Sequence, residues 1–181
     1  WVYAGFYAIF VGMHLVGAGE ALKVMMVITG LAIFAILATA VALFNDFDAS
    51  LLFDIPAGDA LGASTFMPMG WYGIWAALPF AMWLFLAVEG VPLAAEEAEN
   101  PEKDIPKGII AAMLFLLISA VLVVVLVAGT AGAQAMGQSA VPLVDALKAT
   151  GNTNLAVAVN VLGLAGLIAS FFSIIYGYSR L

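Results

Sequence analysis

Apolar residues do not alternate along this chain; they run on for about twenty positions at a time, and polar residues collect between the runs. Runs near 20 residues are the length an α-helix needs to cross a hydrocarbon core of about 30 Å. The pattern predicts five membrane spans, at about 1–17, 22–44, 71–95, 108–129 and 155–178. Between them lie a short polar turn at 18–23 with Glu20 and Lys23, and a loop at 45–70 punctuated by Asp, Gly and Pro. A charged loop follows at 96–107, and a second polar loop at 130–154 carries a short helix over 141–149. The fold class expected is an all-α polytopic membrane protein, with residues 1–181 forming a single membrane-embedded unit.

The third span is interrupted. In Met82-Trp83-Leu84-Phe85-Leu86-Ala87-Val88-Glu89-Gly90-Val91-Pro92, Gly90 weakens the helix, and Pro92 lacks an amide donor and clashes with the preceding turn. Two half-helices broken around 87–92 are predicted. Glu89 stands in that break as the one acidic residue inside an apolar span. An ionisable group at the middle of a bilayer costs roughly 2.5–3.5 kcal/mol on insertion scales, and such groups mark pathways and binding sites. Backbone left unpaired at that depth is tolerated only against protein or water. Glu89 therefore reads as a proton acceptor, as the counter-ion of an amine, or as a protonated carboxyl tying two helices together.

Composition supports the membrane reading: 65% of residues are hydrophobic and 9% charged, against about a quarter charged in soluble domains. The absence of cysteine excludes disulfides, thiolate metal sites and cysteine nucleophiles. The net charge of −7 is not that of a nucleic-acid binder, and four of the acids, Asp46, Asp48, Asp54 and Asp59, share one loop. Lys23, Lys103, Lys107 and Arg180 fall on one side of the expected topology and Lys148 on the other. The positive-inside bias then makes 18–23 and 96–107 cytoplasmic, and 45–70 and 130–154 external. Trp71, Tyr72 and Trp75 sit where an interfacial aromatic belt would. Because the chain starts at Trp1 within an apolar run and ends just after Arg180, it is expected to be an internal piece of a longer protein.

Other polar groups have plainer readings beside functional ones. Trp83 either packs or covers a bound ammonium through cation–π attraction of roughly 0.5–2 kcal/mol, and Phe85 packs. His14 is a hydrogen-bonded structural residue or a proton relay; no second His or Cys completes a metal site. Ser170 and Ser173, near Tyr176 and Tyr178, bond neighbouring helices or offer oxygens to a hard cation. Around Asn100-Pro101 the chain turns, with Asp104 capping the next helix and Pro106 in its first turn. Glu96, Glu97 and Lys103 are candidates for a cytoplasmic gate. No nucleophile–base pair, phosphate loop or cofactor motif is present, which argues against an enzyme; the remaining alternative to a transporter is a non-transporting membrane subunit or scaffold.

Residues 78–108, with Glu96-Glu97-Ala98-Glu99-Asn100-Pro101-Glu102-Lys103-Asp104-Ile105-Pro106-Lys107, resemble the sixth helix and following loop of amino acid–polyamine–organocation permeases, and most resemble ethanolamine permeases. The ending Ala169-Ser170-Phe171-Phe172-Ser173-Ile174-Ile175-Tyr176-Gly177-Tyr178-Ser179-Arg180 resembles their eighth helix. The resemblance implies helices four to eight of twelve, in an inverted-repeat (5+5) fold whose broken first and sixth helices hold the substrate. It implies a secondary active transporter for a small cationic amine or amino acid, coupled to protons or sodium and using no cofactor. Ala87, Val88, Glu89 and Gly90 would form the unwound stretch, Trp83 the aromatic above the substrate, and Glu89 the position of a proton-sensing glutamate. The partners implied are the substrate, the lipid bilayer and the missing helices, with no nucleic acid. One departure stands out: the lysine of several proton-coupled relatives has no counterpart in Met26-Val27-Ile28-Thr29-Gly30, and Lys23 lies near the membrane edge.

Overall fold

The computed structural model describes residues 4–5, 7–9, 11–12, 18–86 and 88–178. Six α-helices are defined among them: α1 (Ala18–Phe44), α2 (Gly70–Leu84), α3 (Pro101–Ala131), α4 (Ala133–Gln138), α5 (Pro142–Ala149) and α6 (Thr153–Tyr178). Two 3-10 segments, Ala49–Phe53 and Val88–Glu97, complete the order. Three helices among the described residues are long and apolar enough to cross a membrane, within Met25–Phe44, Pro101–Ala131 and Thr153–Tyr178. Of the first expected span, residues 4–5, 7–9 and 11–12 are helical; its other residues, His14 included, lie outside the described residues.

The third expected span differs most from its sequence reading. It is not two α half-helices. Helix α2 has 15 residues, about 22 Å at 1.5 Å per residue, and is too short to cross the core alone. It stops at Leu84, where the Phe85 amide donates to the Met82 carbonyl and the Leu86 amide to the Trp83 carbonyl, each at 3.2 Å. The chain then winds as a ten-residue 3-10 segment, far longer than the three or four residues usual for that geometry. The interruption starts before Gly90 because an α-helix through Val88 would drive the Pro92 ring into the Val88 carbonyl.

Helix starts also move. Residues 18–23 are helical rather than a turn, and α3 begins at Pro101 instead of about 108. Pro101 takes the first helical position, where a missing amide costs nothing. Asp104 stands inside the first turn, not at the cap, and its Oδ2 accepts the Asn100 amide at 3.1 Å. Acidic Glu102 and Asp104 suit the positive end of the helix dipole. Pro106 consequently lies within the helix.

The described residues separate into two compact units. One comprises Trp1–Ala35, Ala87–Ala112 and Val161–Leu181, and the other Ile36–Leu86 and Met113–Asn160. In the first, Phe172 is buried against Met25, Ile168, Phe171 and Ile175. The Tyr7 ring meets Phe171 edge-on at 5.3 Å.

The second unit holds the largest of the fully buried side chains, Leu43, Leu147 and Thr39. The end of α1 and the end of α3 are clasped there. The Asp48 amide donates to the Gly129 carbonyl at 2.7 Å, and the Thr130 hydroxyl to the Leu43 carbonyl at 3.4 Å. The Phe47 ring lies directly over Gly129, where a Cβ would overlap it. Gly132 has φ +87°, a conformation glycine adopts without Cβ strain, and it turns the chain from α3 into α4. Asp54 Oδ1 accepts the Gln134 amide at 2.9 Å, capping α4 from 80 positions away. Asp48 caps the first 3-10 segment; the Ser50 hydroxyl at 2.7 Å and amide at 2.9 Å hold its carboxyl below the usual carboxylate range.

Within the polar loop expected at 130–154, the structure has α5 close to the short helix read at 141–149, and also α4, which the sequence did not suggest. Helix α5 starts at Pro142 and buries Val144, Ala146 and Leu147. The Ser139 hydroxyl donates to Asp145 Oδ2 at 2.6 Å and accepts the Val141 amide at 3.0 Å. Lys148 lies 3.8 Å from Asp145.

Two outcomes test the clasp in the full-length protein. Asp54→Ala is expected to cost about 1 kcal/mol, the usual worth of a cap, read as a lower Tm in detergent, while Asp54→Asn keeps an acceptor oxygen and retains most of the stability. Gly129→Ala is expected to lower Tm because its methyl displaces the Phe47 ring, and Phe47→Leu is expected to restore part of the loss. Unchanged melting in both single alanine variants would show that these contacts do not hold the two helix ends.

Candidate functional site

The candidate site is the place where regular helix stops. A continuous membrane helix satisfies its own amides and carbonyls, whereas an interrupted one presents some of them to whatever lies alongside. Two prolines bear on this stretch. Pro79 lies within α2 and withholds a donor from the carbonyl four residues earlier, on Trp75. Pro92 lies within the 3-10 segment and withholds one from the carbonyl three residues earlier, on Glu89. At position 89 an acidic side chain and a carbonyl that Pro92 cannot supply belong to one residue, a combination that suits a bound cation carrying hydrogen-bond donors.

Val88, Glu89 and Gly90 open the 3-10 segment. Ala87 lies outside the described residues. Trp83 occupies the last turn of α2 with 72% of its surface exposed, so nothing within its own unit fixes it as packing. Trp83 belongs to the unit containing Ile36–Leu86, and Val88 to Gly90 to the other. Around Trp83 the surface of α2 is consistently apolar and exposed, through Trp71, Tyr72, Trp75, Phe80 and Met82.

The serines of α6 divide. Ser173 is half-buried; its hydroxyl donates to the Ala169 carbonyl at 3.1 Å and lies 4.0 Å from the Met25 sulfur. That is the bonding of a helical hydroxyl to its own preceding turn. Ser170 is exposed on the same helix. Glu96 and Glu97 end the 3-10 segment, and Lys103 is exposed in the first turn of α3. Among the described residues no three His, Asp or Glu side chains converge as a metal site would require.

Sequence reasoning missed Pro79, whose neighbours Leu78 and Phe80 look like ordinary span residues. It also missed Asp54 as a structural carboxylate. Its crowding with three other aspartates was visible, but its partner 80 positions away was not.

The comparisons with known proteins agree with this architecture. The family model described as amino acid permease matches residues 1–181. An uncharacterized transporter of Rhizobium meliloti (strain 1021) is 37% identical over 132 residues, covering 73% of this chain and 27% of that protein. A branched-chain amino acid permease of Bacillus subtilis (strain 168) is 30% identical, over 64% of this chain and 25% of that protein. A chloroplastic cationic amino acid transporter of Arabidopsis thaliana is 24% identical, over 68% of this chain and 21% of that protein. The chain thus spans about a quarter of the length of the curated relatives it matches. No solved structure matches it. With its whole length accounted for by that one model, the chain belongs to the amino acid permease family.

Proposed function

We propose that this chain is part of a secondary active transporter that moves a small amine or amino acid, ethanolamine among the candidates, across the cytoplasmic membrane by alternating access. The observation that carries the reading is the interruption of regular α-helix after Leu84, with an acidic residue at 89 and a proline at 92 that cannot donate to the carbonyl three residues earlier. Membership of a permease family supports transport rather than catalysis. The names of the relatives extend from branched-chain to cationic amino acids. Glu89 favours the cationic end of that range, because a carboxylate in an apolar surround gains most from a partner of opposite charge.

In this reading Ala87, Val88, Glu89 and Gly90 line the substrate, and Trp83 contributes an aromatic face. Glu89 either pairs with the substrate ammonium or takes up the coupling proton; sodium is the other candidate for the coupling ion. The Ser173 hydroxyl bonds its own helix at Ala169 and lies 4.0 Å from the Met25 sulfur of α1, which supports a helix-packing role for that residue over ion coordination. Glu96, Glu97 and Lys103 form the cytoplasmic gate. The topology is multi-pass, with 18–23 and 96–107 cytoplasmic and 45–70 and 130–154 external, supported by the four-to-one division of Lys and Arg.

Glu89→Gln preserves size and hydrogen bonding while deleting the charge. Uptake into vesicles by the full-length variant is expected to fall by roughly tenfold or more and to lose its pH dependence, at unchanged membrane abundance, since charge-assisted bonds are worth about 1.5–3 kcal/mol. Wild-type rate and pH profile would refute the assignment. Complete absence of substrate-dependent uptake by the wild-type protein would instead favour a scaffold.

The chain has no cysteine, so single thiols report sidedness against whatever background the rest of the protein supplies. In intact cells an impermeant maleimide is expected to label Ala57→Cys and to spare Ala98→Cys until the membrane is opened. The reverse pattern would invert the topology.

A further inference from the structure

The 3-10 segment does more than interrupt a span, because its winding sorts its residues into three rows. With three residues per turn, positions i and i+3 eclipse. Val88, Val91 and Ala94 form one row, Gly90, Leu93 and Glu96 a second, and positions 89, 92 and 95 the third. The first two rows each meet a glycine of another helix in the same unit. A Cβ built on Gly108 of α3 would stand 3.4 Å from Val91 Cγ1, and one built on Gly177 of α6 would stand 3.4 Å from Leu93 Cδ1. Both valine and leucine are half-buried there. That spacing is van der Waals contact for a methyl group, and a longer side chain directed toward the segment would meet Val91 or Leu93.

We propose that Gly108 and Gly177 are positioning residues for the substrate site: they seat the Val91 and Leu93 rows, and so hold the third row, which includes position 89, in register. The winding itself makes register matter. In an α-helix, residues four apart share a face, so position 89 would rotate onto the row of Leu93 that is seated against α6. In the 3-10 winding the two positions fall on different rows. Two seats on two helices fix both the rotation and the height of the segment, which a single contact would not. The inference rests on the assignment of Glu89 to transport, but the seats themselves are testable without it.

The experiment uses the full-length permease in vesicles, with labelling read on a reporter thiol, Val88→Cys, in the segment itself and KM read in the same glycine variants without that thiol. Gly108→Ala and Gly177→Ala are expected to move KM and the labelling rate less than the corresponding leucine variants do, because a methyl there stands at van der Waals distance. Gly108→Leu and Gly177→Leu are expected to change the labelling rate at position 88 and to raise the substrate KM, each by about threefold or more, a change within the range of couplings between touching residues. Pairing Gly108→Leu with Val91→Ala, and Gly177→Leu with Leu93→Ala, is expected to return both values toward wild type. If the leucine variants do not reach the membrane, Val91→Ala and Leu93→Ala alone decide: each empties a seat and is expected to alter labelling at position 88. Unchanged labelling in all of these variants, or losses that the paired substitutions do not relieve, would overturn the proposal. Altered labelling alongside wild-type transport by Glu89→Gln would keep the seats and reject only the role of Glu89.

Discussion

A bilayer offers no hydrogen-bond partner to an amide or carbonyl, and this requirement decides what each part of the chain can do. Helices α1, α3 and α6 meet it internally over 27, 31 and 26 residues. The stretch from α2 through Glu97 does not. Pro79 and Pro92 each remove a donor, and the winding changes from α to 3-10 in between. Since each unsatisfied group in hydrocarbon costs several kcal/mol, such a stretch persists only where protein, water or substrate completes it. The same demand, applied where the chain leaves regular helix, explains the second unit. There Asp54, Asp48, Ser139 and Asp145 supply acceptors to amides and hydroxyls at helix ends.

These two uses of carboxylates are physically distinct. Asp54 and Asp48 have their donors within the chain, at 2.9 Å in each backbone contact, and are already committed. Glu89 stands at the start of a segment that contains Pro92, whose nitrogen carries no hydrogen to donate. A carboxylate beside a carbonyl that Pro92 cannot supply would be favourable around an ammonium, which brings both charge and N–H donors. Neutral substrates would gain less from that arrangement, which is why an amine is the proposed substrate in a family whose relatives are named for several substrate types.

The long helices were legible because a twenty-residue apolar run has few alternatives, and α5 because Pro142 begins an amphipathic stretch. Their ends were less so. The α3 start at Pro101 was hidden by Glu102, Lys103 and Asp104, which look like loop by hydropathy yet suit the first turn of a helix projecting beyond the apolar core. The stop of α2 at Leu84 was hidden because nothing in Phe85-Leu86 breaks a helix; the cause lies downstream, at Pro92. The break itself was legible from Gly90 and Pro92, but its 3-10 winding was not, and neither was the seating of Val91 and Leu93, since both depend on helices that follow in sequence. Contacts such as Asp54 with Gln134 join positions too distant for any local pattern to register.

The most direct test of the break as the substrate site is amide hydrogen exchange on the full-length protein, with and without ethanolamine or a cationic amino acid. Amides of free, interrupted backbone exchange faster than those of intact membrane helix, and a bound ligand that orders them slows the exchange. Protection concentrated in 85–97, lost in Glu89→Gln, is the expected result. Substrate-dependent protection elsewhere, with 85–97 unchanged, would place the site outside the break.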